Sequence, residues 1–134
     1  MLFGLQEALA MISEEGLPAI FDRHAAIADA TRAAIDAWQQ AGAIFNVDDP
    51  ASRSNSVSVF RFEDDRALKI REFCQRNCGV WLGGGLGQFE DETIRIGHMV
   101  HVNAHTILGC LGAVDVAFAA MGSNLSHTLS LRHI

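Results

Sequence analysis

The sequence predicts an α+β domain in which helices cover one small sheet. Apolar residues recur at helical spacing in the N-terminal part of the chain, and again after Asn103. Between these segments, short runs rich in Val, Ile and Phe are separated by turn residues, as is typical of strands. The predicted order is helix, helix, strand, strand, helix, strand, strand, helix. This pattern does not give the strand directions.

Two helices are predicted first. Gly16 ends the first helix, while Pro18 suits the first turn of the second, which ends before Gly42. The apolar residues at helical spacing are Leu2, Leu5, Ala8, Leu9 and Ile12 in the first helix, and Ile20, Phe21, Ile27, Ile35 and Trp38 in the second.

The middle of the chain predicts two strands and a third helix. The strands are 43–47 and 56–62, and the segment 48–50 (DDP) forms a turn between them. Asp65 is expected to cap a helix that continues to about Asn77, and Gly79 ends it.

The last third of the chain predicts two more strands, 80–82 and 93–97, and a final helix capped by Asn103. Gly109 and Gly112 lie inside that helix, where each costs up to about 1 kcal/mol relative to Ala. We therefore expect another element to pack closely against them.

Length and composition indicate one domain. The chain has 134 residues, and the predicted elements place the domain at 1–122. The segment 123–134 shows no clear periodicity and is expected to be a tail, for which disorder is one interpretation.

Charge and cysteine content restrict the possible partners and compartment. The formal net charge is −6, and the clustered cations alternate with acidic residues, so no nucleic-acid partner is expected. The three cysteines match neither a disulfide framework nor a zinc ribbon, which favours a cytoplasmic protein. No signal peptide is recognised, and the longest apolar run, 107–121, is too short for a bilayer of about 30 Å. No membrane partner is expected.

Arg95 is the most informative candidate site residue. It lies in a short apolar strand between the glycine-rich segment 83–87 and the final helix. A half-buried guanidinium is always charged and requires an anion, which is either a carboxylate of the protein or one of a ligand. The segment 83–87 does not have the G-x-G-x-x-G spacing of a dinucleotide site and precedes a strand.

Two other chemistries are weaker alternatives. His98, His101, His105 and Cys110 suggest a zinc site, but only His101 and His105 have helical spacing, and ordinary polar or capping roles are simpler. There is no G-x-S-x-G motif. Lys69 is the only lysine, and its charged neighbours predict a surface position. The residues therefore indicate no catalytic group and no metal ligand.

Four sequence blocks together resemble a known family. They are 2–9 (LFGLQEAL), 53–57 (RSNSV), 83–87 (GGGLG) and 94–99 (IRIGHM). In this order and spacing they are similar to the C-terminal third of class V pyridoxal-phosphate aminotransferases, above all the alanine–glyoxylate and serine–glyoxylate enzymes. The blocks span the chain to about Gly122.

This resemblance implies a fold and a site. The family's C-terminal domain is a mostly antiparallel sheet covered by helices. Its R-I-G arginine, which matches Arg95, binds the α-carboxylate of the substrate, so the resemblance favours a ligand as the anion. Gly97 and His98 would then form the wall beside it.

The resemblance also implies what this segment does not supply. In the family, pyridoxal phosphate is held by a large domain upstream of the match, which carries the cofactor-binding lysine, and Lys69 does not match that lysine. We therefore expect the chain alone to bind no cofactor and to be inactive. The expected partners are a second copy or a separately encoded large domain.

Two departures from the family pattern and one alternative function remain. Val100 stands where glycine is common, and Ala104-His105 replaces an acidic and an apolar residue. The alternative function is a non-catalytic module for oligomerisation or for binding small carboxylates.

Overall fold

The computed structural model describes residues 2–123. Its α-helices are α1 (Leu2–Glu15), α2 (Leu17–Trp38), α3 (Arg66–Phe73) and α4 (Ala104–Ala120), and its strands are β1 (Ile44–Phe45), β2 (Val57–Arg61) and β3 (Thr93–Gly97). The predicted tail 123–134 lies outside the described residues, apart from Ser123, and the predicted domain boundary stays a prediction. None of the described helices combines the length and hydrophobicity needed to cross a membrane.

The three strands form one antiparallel sheet in the order β1-β2-β3. Phe45 is paired with Phe60, and Val59 is paired with Arg95. Helices α2, α3 and α4 pack against the sheet or against one another. The predicted α+β class with a small antiparallel sheet is confirmed.

The prediction of a strand at 80–82 is wrong. The backbone N–H of Val80 donates to the carbonyl of Cys74 at 3.1 Å, so it is not available to a sheet. Only Gly83 reaches β3, where it forms an isolated antiparallel bridge with Arg95. The chain then turns at Gly84 and Gly85, where a Cβ on Gly85 would overlap the carbonyl of Phe89. This turn prevents the ladder from continuing.

Two details of α3 also differ from the prediction. The α-helix ends at Phe73 and continues as a π-helical turn, Cys74–Cys78, before Gly79 ends it with φ 67°. The Asp65 side chain does not cap the helix, because it forms an ion pair with Lys69 at 2.8 Å. The Asp64 carboxylate instead accepts from the backbone N–H of Arg66 at 3.1 Å.

Helix α4 begins as predicted. The side chain of Asn103 accepts from the backbone N–H of Thr106 at 3.0 Å, which satisfies one of the free donors of the first turn. The expected close packing at Gly109 and Gly112 is wrong for the described part of the chain, since a Cβ at either position meets no atom within 4 Å.

Trp38 lies at the centre of the core. Its ring is fully buried and packs against Phe60 and Phe118, with ring centroids 5.4 and 5.8 Å away. Its Nε1–H donates to the Asp115 carboxylate at 2.6 Å. Because Trp38 ends α2 and Asp115 lies on α4, this hydrogen bond joins the two helices above the sheet.

We expect Trp38→Phe to lower the free energy of unfolding by about 1–3 kcal/mol, since it removes both ring volume and a charge-assisted hydrogen bond. The matched control is Trp81→Phe, because Trp81 is 79% exposed and its replacement should change stability by less than about 0.5 kcal/mol. Chemical denaturation measures both values. Equal effects of the two variants would contradict the central role of Trp38.

Candidate functional site

An open groove of about 480 Å³ lies beside β3. One wall is the segment between the π-helical turn and Gly83, and the other is the N-terminal part of α4. The residues that line it are Cys78, Val80, Trp81, Leu82, Arg95, Ile96, Gly97, Val102, His105, Thr106, Ile107, Gly109 and Cys110.

The alternation of β3 places Arg95 at this groove. Ile94 and Ile96 are buried in the core, while Arg95 and Gly97 lie on the opposite face of the strand and line the groove. The backbone of Arg95 is held on both sides. Its N–H and its carbonyl exchange hydrogen bonds with Gly83, at N···O distances of 2.8 and 3.1 Å, and on the other side it is paired in register with Val59 of β2. The arginine therefore projects from a rigid part of the backbone.

The guanidinium of Arg95 has no anionic partner among residues 2–123. Arg95 is half-buried, and its Nε is buried without a hydrogen-bond acceptor. Arg95 takes part in none of the six ion pairs found among the described residues. A buried donor left without a partner costs about 1–3 kcal/mol, more when it is charged, so the site favours binding of an anion.

Gly97 lines the groove beside Arg95, but His98 does not. His98 is fully buried, with Nε2 at 3.0 Å from the hydroxyl of Ser58 and Nδ1 at 3.0 Å from the carbonyl of Asn55. Because a carbonyl only accepts, Nδ1 carries the proton and Nε2 accepts from Ser58. His98 thus joins the end of β3 to the segment before β2. Burial is the main cause that lowers its pKa.

Sequence reasoning did not place three further residues in the groove. Trp81 is exposed two residues before the glycine-rich segment, in the stretch 80–82 that was predicted to be a strand. His105 and Thr106 lie in the first turn of α4. Their position just after the predicted cap Asn103 was the available signal.

The described residues do not fit pyridoxal phosphate. That cofactor requires a lysine, but Lys69 lies on α3, pairs with Asp65, and has a side chain that is 60% exposed. It does not line the groove. Any lysine for the cofactor must come from outside these residues.

The zinc alternative has no support in the described part of the chain. No three His, Cys, Asp or Glu side chains there are grouped as metal ligands, and both nitrogens of His98 are engaged. The three cysteines are free thiols. Burial raises the pKa of Cys74 to about 12 and that of Cys110 to about 11, so both are neutral at pH 7 and poor nucleophiles.

The loop between β3 and α4 is strained. Val100 has φ 67°, the left-handed region, and is the only non-glycine residue with a positive φ among residues 2–123. This conformation costs an L-residue about 1–2 kcal/mol, and a β-branched side chain is especially unfavourable there. The position is the one where the resembled family commonly has glycine.

Comparison with known proteins gives relatives along most of the chain, although no model of a protein family matches. The chain is 33% identical over 123 residues to serine–glyoxylate aminotransferase of Methylorubrum extorquens, covering 91% of this chain and 30% of that protein. It is 34% identical over 122 residues to the Arabidopsis thaliana enzyme of the same name, with the same coverage. A third relative, 31% identical, is described as the small subunit of a soluble hydrogenase from Synechococcus sp. strain PCC 6716.

Solved structures show the same fold. Ureidoglycine–glyoxylate aminotransferase from Bacillus subtilis superposes with a TM-score of 0.85 at 20% identity, covering 98% of this chain and 33% of that one. Pyridoxamine–pyruvate aminotransferase from Mesorhizobium loti gives 0.80 at 23% identity, with coverages of 96% and 33%. The chain thus spans about 30% of the length of its relatives and matches their C-terminal region, which confirms the resemblance inferred from the four blocks.

The lowered pKa of His98 predicts a pH-dependent stability. The unfolded histidine binds a proton near pH 6.5, whereas the buried one does so only at lower pH. The contribution of His98 to the free energy of unfolding is therefore fully present above pH 6.5. As the pH decreases below 6.5 the protein becomes less stable, by at most about 1.4 kcal/mol per pH unit from this group. We expect His98→Gln to reduce this slope. Denaturation between pH 5 and 8 measures it.

Thr31→Val is the matched control. Thr31 is also fully buried and hydrogen bonded, to the carbonyl of Ile27 at 2.9 Å, but it does not titrate. It should lower stability equally at every pH. An unchanged slope in His98→Gln would contradict the assignment.

Proposed function

We propose that this chain, a homologue of the C-terminal region of class V pyridoxal-phosphate aminotransferases, supplies the arginine that binds the substrate carboxylate in an amino acid:2-oxo acid transaminase. The observation that supports this proposal is the half-buried guanidinium of Arg95, which lines an open groove without an anionic partner among the described residues.

The groove is suited to a small carboxylate. A guanidinium presents parallel N–H donors that match the two oxygens of a carboxylate. The first turn of α4 lines the same groove, and the N-terminal end of a helix favours negative charge. Apolar surface from Leu82, Val102 and Ile107 reduces the access of water and strengthens the ion pair.

Transamination further requires chemistry that these residues do not provide. Pyridoxal phosphate, when bound to such enzymes, supplies the electron sink for the reaction. The cofactor-binding lysine would come from a region outside the described residues, on the same or another polypeptide. We therefore infer that Arg95 and Gly97 bind and orient the substrate carboxylate, and that the described part alone does not turn over substrate.

A second candidate function is that of an interaction module, and helix α1 favours it. None of its residues is buried. Its exposed apolar residues are Leu2, Phe3, Leu5, Leu9, Met11 and Ile12, and Leu17 and Phe21 of α2 are exposed as well. A surface of this kind usually marks an interface. We propose that a large domain, corresponding to the part of the relatives outside the match, covers it, and that copies of the chain associate through it when that domain is absent.

Arg95→Gln should weaken binding of glyoxylate, pyruvate or serine by at least about tenfold, because hydrogen bonds to a charged group contribute about 1.5–3 kcal/mol. Calorimetry measures the affinity, and serinamide, which has no carboxylate, is the ligand control. Arg76→Gln is the protein control, since it removes the same charge from an exposed ion pair with Glu72. Equal affinities of Arg95→Gln and the parent chain would contradict the proposed role.

Replacing Leu5 and Leu9 by Ser should convert the self-associating chain into a monomer, because the substitution removes two apolar side chains one turn apart on α1. Light scattering at several concentrations measures the mass. The matched control replaces two exposed apolar residues elsewhere, Val116 and Leu86, by Ser and should leave association unchanged. A monomeric parent chain would count against the interface.

A further inference from the structure

The loop 98–102 connects the strand that carries Arg95 to the helix that forms the opposite wall of the groove. Both ends of the loop are fixed. His98 is held by Ser58 and Asn55, and Asn103 caps α4 immediately after the loop. Between them, Val100 has an unfavourable positive φ and is 78% exposed. Packing of the Val100 side chain therefore does not explain its conformation.

Arg23 of α2 instead contacts the backbone of Val100. Its Nη1 donates to the carbonyl of Val100 at 2.8 Å. The ring nitrogen Nε2 of His24 lies 3.4 Å from the same oxygen and adds a weaker contact. Among the described residues these are the side-chain hydrogen bonds to this carbonyl.

The guanidinium of Arg23 is itself held in one orientation. Its Nε and Nη2 donate to the two carboxylate oxygens of Glu15 at 2.6 and 2.8 Å, a bidentate pair with both side chains about three-quarters buried. The hydrogen bond from Arg23 is also the main cause that lowers the pKa of Glu15, so the carboxylate is ionised at neutral pH. One planar group thus connects the last turn of α1, α2 and the loop.

The loop position affects the groove directly. Gly97, just before the loop, and Val102, its last residue, both line the groove. A change of φ at Val100 would change the direction of the chain between them. The spacing between Arg95 and the first turn of α4 would change as well.

We propose that Arg23 is a positioning residue that holds the loop 98–102 in its strained conformation and so sets the wall of the groove opposite Arg95. The effect on ligand binding rests on the proposed carboxylate site. The ordering of the loop does not.

The test compares the parent chain, Arg23→Lys, Val100→Gly and the double variant. Lysine keeps the charge but cannot bind Glu15 in a bidentate manner and reach the carbonyl of Val100 at once. Amide hydrogen exchange of residues 99–102 reports loop order, and calorimetry with sodium glyoxylate reports the groove. We expect Arg23→Lys to accelerate exchange at 99–102 and to weaken glyoxylate binding by about three- to tenfold, the range of a moderate coupling between contacting residues.

Val100→Gly distinguishes positioning from a general loss of stability. Glycine adopts a positive φ readily, so the loop should then depend less on Arg23. We expect Arg23→Lys to have a clearly smaller effect on exchange and affinity in the Val100→Gly background. Arg53→Lys is the control, because Arg53 also donates to loop carbonyls, those of Val47 and Asp48, but not to this loop.

Each outcome has a defined meaning. Unchanged exchange at 99–102 in Arg23→Lys, or equal effects in both Val100 backgrounds, would overturn the proposal. Faster exchange with unchanged glyoxylate affinity would overturn the effect on the groove. If the parent chain does not bind glyoxylate, the proposed function fails, while the exchange data still decide whether Arg23 holds the loop.

Discussion

The two faces of strand β3 lie in different environments, one apolar and one open to solvent, and the rest of the structure depends on this strand. One side of the strand places Ile94 and Ile96 in a core built around aromatic rings, and the other side presents Arg95 to a groove. Pairing with β2 and the bridge to Gly83 fix the strand from both edges. The backbone that carries the half-buried guanidinium is therefore held on both sides.

The groove and helix α1 are two surfaces on which the described residues leave contacts unfilled. The chain matches only about 30% of the length of its relatives, and those relatives include aminotransferases. Among residues 2–123, Arg95 lacks an anionic partner and α1 has no buried residue, so one polar and one apolar contact are left unfilled. Both are explained if the substrate and a large domain meet the chain on these two surfaces.

Local signals in the sequence predicted much of the fold. The cap Asn103, the stop at Gly79 after the π-helical turn and the strand Thr93–Gly97 follow from short-range chemistry and were predicted correctly. The errors arose where a short segment was assigned from its composition alone. Residues 80–82 look like a strand, but the donor of Val80 is taken by the π-helical turn, which has no sequence signature. Asp65 looks like a cap, but Lys69 one turn later binds its carboxylate.

The sequence by itself determined the α+β class, the alternation of β3 and the presence of an arginine that needs an anion. The tertiary structure decided which side chains surround that arginine. It buried His98 away from the groove, brought Trp81 and the first turn of α4 into it, and joined Arg23 to Val100 across 77 positions. The physical reason is that helix and strand periodicity are properties of neighbouring residues, whereas contacts between distant residues depend on how the completed elements pack.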